Sequence, residues 1–259
     1  MSEPVLLKIE NQVARIQLNR ADIHNAFNEV SIAALTDVFL KVGQDPDIRV
    51  VVLESFGKSF CAGADLAWMK KMAGYTEQEN IDDTNALAKM LRLLNEMPKP
   101  TIARVQGPAY GGGVGLVACC DIAVAVDTAT FCLSEVLLGL SPATISPYVI
   151  NAMGSSQARR YFLTAERIPA AQAEKINLVH EVCSADELDK RVNYFITQLL
   201  KAGPRALGIA KELIFLSEPM VDERILKETA LYIARQRVSP EGQEGLASFF
   251  EKRKPDWIR

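Results

Sequence analysis

An α/β domain with parallel strands, followed by an all-helical tail, is what this sequence predicts. Three observations carry that expectation. Short β-branched runs alternate with amphipathic helical stretches through the first two-thirds of the chain, the pattern of a sheet built through crossovers. Helical periodicity alone fills the last third. The 259 residues, 49% hydrophobic and 24% charged, suffice for one large domain, or a domain with a subdomain, around an ordinary core. No repeat is apparent at a period of about 20–50 residues.

Each element has its own warrant. Val5-Leu6-Leu7-Lys8-Ile9 and Val13-Ala14-Arg15-Ile16-Gln17-Leu18 alternate in polarity around Glu10-Asn11-Gln12 and predict a β-hairpin. Asn19 to Phe27 is loop-like, and Asn28 suits an N-cap for a helix to about Val42, with Ile32, Leu35, Val38, Phe39 and Val42 on one face. Val50-Val51-Val52-Leu53 is a buried strand type, and Ser55 to Asp65 is a loop containing Gly57 and Gly63. Thr76-Glu77-Gln78-Glu79 fits a capping box, opening a helix with Leu87, Met90, Leu91 and Leu94 on its apolar side, ended by Pro98 and Pro100.

Thr101 to Val105 is a strand, Gly107 to Gly115 a glycine-rich turn into a helix, and Asp121 to Val126 another strand. Phe131 to Leu140 is an apolar run holding one carboxylate, Glu135. Ser141-Pro142 predicts a helix start running to about Met153. Short helices over Ala158–Leu163 and Ala170–Ile176 and a last strand over Val179–Cys183 follow. The remaining helices are expected at roughly 185–202, 204–217, 220–238 and 240–252.

Composition excludes several roles. A net charge of −3 and a pI near 5.6 give no footprint for nucleic acid or an anionic membrane. No apolar run reaches the ~20 residues that span a bilayer. The start, Met1-Ser2-Glu3-Pro4, lacks the basic and apolar regions of a signal peptide. The five cysteines, Cys61, Cys119, Cys120, Cys132 and Cys183, sit mostly in apolar contexts and read as reduced core residues of a cytoplasmic protein. Cys119-Cys120 lacks ligand spacing and two histidines, His24 and His180, are too few for a His-rich site, so no metal is expected.

The chemistry is expected in two glycine-containing loops and one acidic residue. Gly111-Gly112-Gly113 strips Cβ atoms from a strand-to-helix turn, which frees the backbone for φ > 0 and for close approach of another molecule. The helix that follows points free N–H groups outward, where developing negative charge is stabilised. The same glycines also suit a tight turn with close packing and no ligand. Phe60 to Leu66 is a second loop after a buried strand, and loops at the carboxyl ends of parallel strands line the ligand crevice. Two such loops can each offer one N–H to a single oxygen, at about 2.7–4 kcal/mol of transition-state stabilisation per donor. Glu135, between Leu133 and Leu137-Leu138, must find a partner or carry a raised pKa, the property that proton transfer to and from carbon requires. A strand edge or helix cap would account for the same carboxylate. The chain has no G-x-S-x-G elbow, G-x-G-x-x-G or P-loop pattern, and Ser134 has no histidine in a suggestive context to activate it.

These residues, in this order and spacing, resemble the crotonase, or enoyl-CoA hydratase/isomerase, superfamily over nearly the whole chain. The markers are Leu18-Asn19-Arg20 with Asn25-Ala26-Phe27-Asn28, Phe60 to Leu66, Gln106 to Gly113, Cys120-Asp121-Ile122-Ala123, Ser134 to Gly139, Glu244-Gly245, and Phe249 to Pro255. Within it, Pro142 to Val149 and Ala158 to Arg167 look like bacterial methylglutaconyl-CoA hydratases of leucine degradation, and like the closely similar isohexenylglutaconyl-CoA hydratases of terpene breakdown.

The resemblance implies a ββα spiral core over 1–200 and a C-terminal helical trimerisation region over 201–259, assembled as trimers or paired trimers. It implies an acyl-CoA substrate, with no cofactor beyond the coenzyme A that the substrate carries. The thioester oxygen would sit between the N–H groups of Ala64 and Gly112. The loop of Ala62, Ala64, Asp65, Leu66 and Ala67 would line the adenine and pantetheine path, and Glu135 would be a hydratase glutamate. The sequence departs from the pattern twice. The second hydratase glutamate belongs at Gly115, and a lysine that helps hold the CoA phosphates is missing near Ile23; Lys252 or Lys254 stands available instead.

Three readings follow. The first is a hydratase of a branched 2-enoyl-CoA carrying a distal carboxylate, with Asp65, Tyr110, Ser141 or the substrate's carboxylate assisting Glu135, and Arg159 or Arg160 holding that carboxylate. The second is a Δ3–Δ2 enoyl-CoA isomerase, which needs only one base. The third is a catalytically weakened trimeric scaffold.

Overall fold

The computed structural model describes residues 3–72, 74–217 and 239–258. Its centre is a six-stranded sheet in the order β1-β2-β3-β4-β6-β9. β1 (Val5–Glu10) and β2 (Val13–Leu18) form the expected antiparallel hairpin, with Glu10 opposite Val13. Asn11 and Gln12 both take positive φ, the geometry of a primed two-residue turn that follows the strand twist. β3 (Val50–Ser55), β4 (Thr101–Val105), β6 (Ile122–Val126) and β9 (Glu181–Cys183) then add in parallel. β3 is buried at every position, as its unbroken valine run requires for a strand covered on both faces.

The helices fall close to expectation. α1 (Glu29–Gln44) is capped by Asn28, whose side chain accepts from Ser31 N–H while Ser31 answers the Asn28 N–H. α2 (Leu66–Met72) was not expected from the sequence; its seven residues are too few to show a periodicity. α3 (Glu77–Asn95) has the anticipated Thr76/Glu79 capping box, and packs Met90, Leu91 and Leu94 into the core. α4 (Gly112–Ala118) follows the glycine turn.

Three sequence expectations shift. The apolar run over 131–140 divides into β7 (Thr130–Cys132) and a 3-10 turn over Glu135–Leu138. The next helix starts at the second Ser-Pro pair, Ser146-Pro147, rather than at Ser141-Pro142. It continues as α5 (Ser146–Thr164) through a break at Gly154, whose φ of 76° and ψ of 154° interrupt the helix between the two segments expected there. The last strand begins at Glu181, because Val179 N–H bonds the Ala173 carbonyl at the end of α6 (Ala170–Lys175). α7 (Leu188–Lys201), α8 (Pro204–Ser217) and α9 (Pro240–Glu251) complete the described chain. The helix expected over 220–238 lies outside the described residues. Among the described residues, no helix is long and apolar enough to cross a membrane.

A second, three-stranded sheet was missed entirely. It comprises β5 (Ala109–Tyr110), β7 and β8 (Ile168–Pro169), in the order β5-β7-β8. Strands of two and three residues carry no alternation to read. This small sheet positions the candidate site.

Candidate active site

β5 and β7 run parallel, Ala109 opposite Phe131 and Tyr110 opposite Cys132. A third segment joins on the other side of β5: Cys61 bridges Ala109 in parallel, Cys61 N–H bonds the Pro108 carbonyl at 3.2 Å, and Tyr110 N–H bonds the Cys61 carbonyl at 2.9 Å. Three parallel segments therefore leave the small sheet at one end. One leads to Ala64, the second to Gly112 and the third to Glu135.

The glycines are dictated by this crowding. Gly111 takes φ 50° and ψ −123° as it turns from strand to helix, and its N–H bonds the Cys132 carbonyl at 2.8 Å, tying the second segment to the third. A Cβ on Gly113 would lie 2.4 Å from the Cys61 carbonyl oxygen, and one on Gly63 2.9 Å from the Tyr110 carbonyl oxygen. Neither main chain has anywhere to go. The first and second loops are thus backbone against backbone, with Gly63 packed toward the Gly112 nitrogen. Among the described residues, no acceptor takes the N–H of Ala64 or of Gly112. Neighbouring N–H groups are committed: Phe27 N–H to Gly63, Asp65 N–H to Phe27, Val114 N–H to Gly111.

Glu135 opens the 3-10 turn, half-buried, with Oε1 only 3.2 Å from where a Cβ on Gly111 would stand. Its Oε2 is buried without a hydrogen-bond partner. Burial pushes its pKa above the ordinary glutamate value, its own backbone N–H pulling the other way. An unpartnered buried acceptor costs about 1–3 kcal/mol, and more when charged. Such a carboxylate is basic for its kind and has one oxygen free for a proton.

The family profile for enoyl-CoA hydratase/isomerase matches residues 8–259. The chain belongs to the enoyl-CoA hydratase/isomerase family. The crystal structure of an enoyl-CoA hydratase from Shewanella pealeana has a TM-score of 0.95 at 45% identity, covering 98% of this chain and 96% of that one. Crotonyl-CoA hydratase of Syntrophomonas wolfei is 31% identical over 99% of this chain and 98% of its own length. (E)-Benzylidenesuccinyl-CoA hydratase of Thauera aromatica is 32% identical over 97% and 98%. Acyl-CoA thioesters are accordingly the substrate class at the level of the family.

The other residues singled out in this enoyl-CoA hydratase/isomerase chain are placed as follows. Gly115 is buried in α4, and a Cβ there would meet Ile145 Cγ2 at 2.3 Å. The site of the expected second glutamate is filled by an isoleucine. Asp65 is committed elsewhere: its carboxylate pairs with Arg20 at 2.7 Å and caps α2 through the Ala67 N–H at 2.8 Å. Burial pushes its pKa up, but the Ala67 N–H, the Arg20 guanidinium and the Trp68 N–H outweigh it and hold the group low. Leu66 and Ala67 begin α2, with Leu66 exposed, and Ala62 N–H bonds the His24 carbonyl. The Tyr110 hydroxyl lies 3.2 Å from Thr130 Oγ1, and Ser141 is exposed. Arg160 is engaged in a bidentate pair with Glu166, while Arg159 is exposed on α5. Lys252 and Lys254 are exposed beyond α9. Among the described residues, no group of His, Cys, Asp and Glu is clustered to hold a metal ion.

Sequence reading missed two contributors. Phe27 closes over Gly112, its ring 2.3 Å from a Cβ placed there, and Ile145 closes over Gly115. Both contacts join residues far apart in the chain.

Proposed function

We propose that the protein hydrates a short, branched 2-enoyl-CoA carrying a distal carboxylate, with 3-methylglutaconyl-CoA, giving 3-hydroxy-3-methylglutaryl-CoA, as the first choice and isohexenylglutaconyl-CoA as the second. The observation that carries the reading is Glu135: a half-buried carboxylate with an unpartnered oxygen, beside the N-terminus of a helix whose first N–H is open. The thioester oxygen accepts from Ala64 and Gly112 N–H. Water attacks the β-carbon as Glu135 takes one of its protons, and the electron pair moves onto the thioester oxygen as an enolate. Glu135 then returns that proton to the α-carbon. One proton is taken and one given back, so a single carboxylate completes the addition. Ala62, Ala64, Asp65, Leu66 and Ala67 line the path of the coenzyme, Asp65 by holding the loop through Arg20. The benzylidenesuccinyl relative supports a carboxylated acyl group, since a succinyl unit is part of its printed substrate. With Arg160 paired to Glu166, Arg159 is left for the substrate carboxylate.

The reading includes a cytoplasmic enzyme assembled as trimers or paired trimers through residues 201–259, with 1–200 as the catalytic core. It uses no cofactor beyond the substrate's own coenzyme A.

One observation favours a second reading. Ile145 fills the space that a carboxylate at 115 would need, and Glu135 by itself suffices for a Δ3–Δ2 enoyl-CoA isomerase moving one proton between two carbons. Incubation with 3-methylglutaconyl-CoA, crotonyl-CoA and a 3-enoyl-CoA separates the two. Hydrated product from the first is expected. Turnover of the 3-enoyl substrate alone would establish the isomerase, and no turnover of any by an intact oligomer would point to the scaffold.

A further inference from the structure

Phe27 touches both loops that carry the open N–H groups, by different means. Its main chain pairs with the first loop. Phe27 N–H donates to the Gly63 carbonyl at 2.8 Å, and the Phe27 carbonyl accepts from Asp65 N–H at 2.9 Å. These are the two bonds of a parallel bridge between Phe27 and Ala64. They involve the residues on either side of Ala64, so the Ala64 N–H itself is turned away from the Phe27 main chain. The side chain meets the second loop. The three atoms nearest to a Cβ built on Gly112 are Cζ, Cε2 and Cε1 of the Phe27 ring, at 2.3, 3.0 and 3.4 Å. The tip of the ring thus occupies the side-chain position of Gly112. Within the turn, the Gly111 carbonyl accepts from Val114 N–H at 2.9 Å, and across a planar trans peptide this aims the Gly112 N–H the opposite way.

Phe27 is itself fixed from both directions along the chain. The Ala26 carbonyl before it accepts from Arg20 Nη1 at 2.7 Å, and the same guanidinium holds Asp65 through Nη2 at 2.7 Å. Asn28 after it caps α1. Only 3% of Phe27 is exposed, so the ring is a close-packed spacer with little room to shift.

We propose that Phe27 is a positioning residue of the oxyanion hole: its main chain sets Ala64, its ring sets Gly112, and together they fix the spacing of the two N–H donors. The proposal rests on the acyl-CoA reading, in which those donors hold the thioester oxygen. Donors of this kind work because they already stand where the oxyanion forms, and small misplacements are costly. Removing the ring lets the glycine turn move into the vacated space. The main-chain bridge to the first loop stays, so the loss falls on the Gly112 donor.

The test reads the thioester carbonyl directly. A saturated acyl-CoA isotopically labelled at the carbonyl carbon is bound to wild type, Phe27→Leu and Phe27→Ala, and difference infrared spectra give the carbonyl stretch. Hydrogen bonding lowers that frequency in wild type. With one of two donors displaced, the lowering is expected to fall to about half in Phe27→Ala and to shrink less in Phe27→Leu. In Phe27→Ala, kcat should drop by about 10²-fold, the scale of one donor, while Kd for the saturated thioester stays within about threefold. The acid limb of the pH profile should not move, because Glu135 is untouched. Leucine keeps the apolar core filled but lacks the ring tip that reaches Gly112, and it serves if the alanine variant does not fold. A full wild-type carbonyl shift in the folded variants overturns the proposal alone. A wild type that binds the thioester with no carbonyl shift overturns the two-donor reading, and the proposal with it.

Discussion

The loop through Asp65 and the turn through Glu135 each bring one carboxylate to the same end of the small sheet, and they treat it in opposite ways. Asp65 receives an arginine, two backbone N–H groups and the start of a helix, and its pKa is held down. Glu135 receives burial and no partner on Oε2, and its pKa is pushed up. The first carboxylate is spent on holding a loop still. The second is left unsatisfied beside an open pair of N–H groups, an arrangement that costs stability and keeps a proton acceptor ready. The lesson is that position in a site loop does not assign chemistry to an acid; what its oxygens already hold does.

The sharpest break of this contrast is Glu135→Gln. It should lower kcat by about 10³-fold, within the usual range for general acid–base groups, while acyl-CoA affinity measured by titration stays within about twofold. A wild-type rate would end the assignment. Next is Gly112→Ala, whose Cβ would meet the Phe27 ring at 2.3 Å. The displaced N–H should cost about 10²-fold in kcat, the scale of one oxyanion donor, with little change in the pH profile.

Asp65→Asn is expected to act on structure instead. Weakening the α2 cap and the Arg20 pair should cost about 1 kcal/mol in denaturant unfolding, with a fall in rate smaller than about tenfold that leaves the pH profile unmoved. The folded-state pKa of Asp65 is lowered, so its contribution is present above the ordinary aspartate range and lost as pH falls through the folded value. Wild type and variant should converge in acid.

The smallest effect has the opposite sign. The folded-state pKa of Glu135 is raised, so ionisation costs stability as pH rises through it. Glu135→Gln should therefore raise stability at neutral pH, by about 1 kcal/mol, and give no gain below the ordinary glutamate range. For the same reason the acid limb of kcat should lie above the ordinary glutamate pKa. A limb at or below that value would mean that Glu135 is not the titrating base.

The sequence made the large sheet and most helices legible, because β2, β3 and β4 carry β-branched runs and α1 and α3 carry side-chain caps with apolar stripes. Ala64, Gly112 and Glu135 were picked out as loop positions and by resemblance. What stayed hidden is nonlocal. The small sheet that sets these residues side by side has strands of two or three residues. The Arg20–Asp65 pair spans 45 residues, and the seating of Ile145 on Gly115 joins a helix start to the middle of another helix. Two Ser-Pro pairs offered two helix starts, and only packing selects Ser146-Pro147.

The Ile145–Gly115 contact also bears on the routes by which this site can change over generations. Any side chain acquired at 115 while isoleucine stands at 145 collides with Cγ2 and Cβ, and overpacking of this kind costs about 1–3 kcal/mol or more. The same change after position 145 has shrunk meets only Leu91 Cδ2 at 3.7 Å, an ordinary contact. The two substitutions are thus coupled in order as well as in energy: residue 145 must shrink before a new functional group can be tried at the helix.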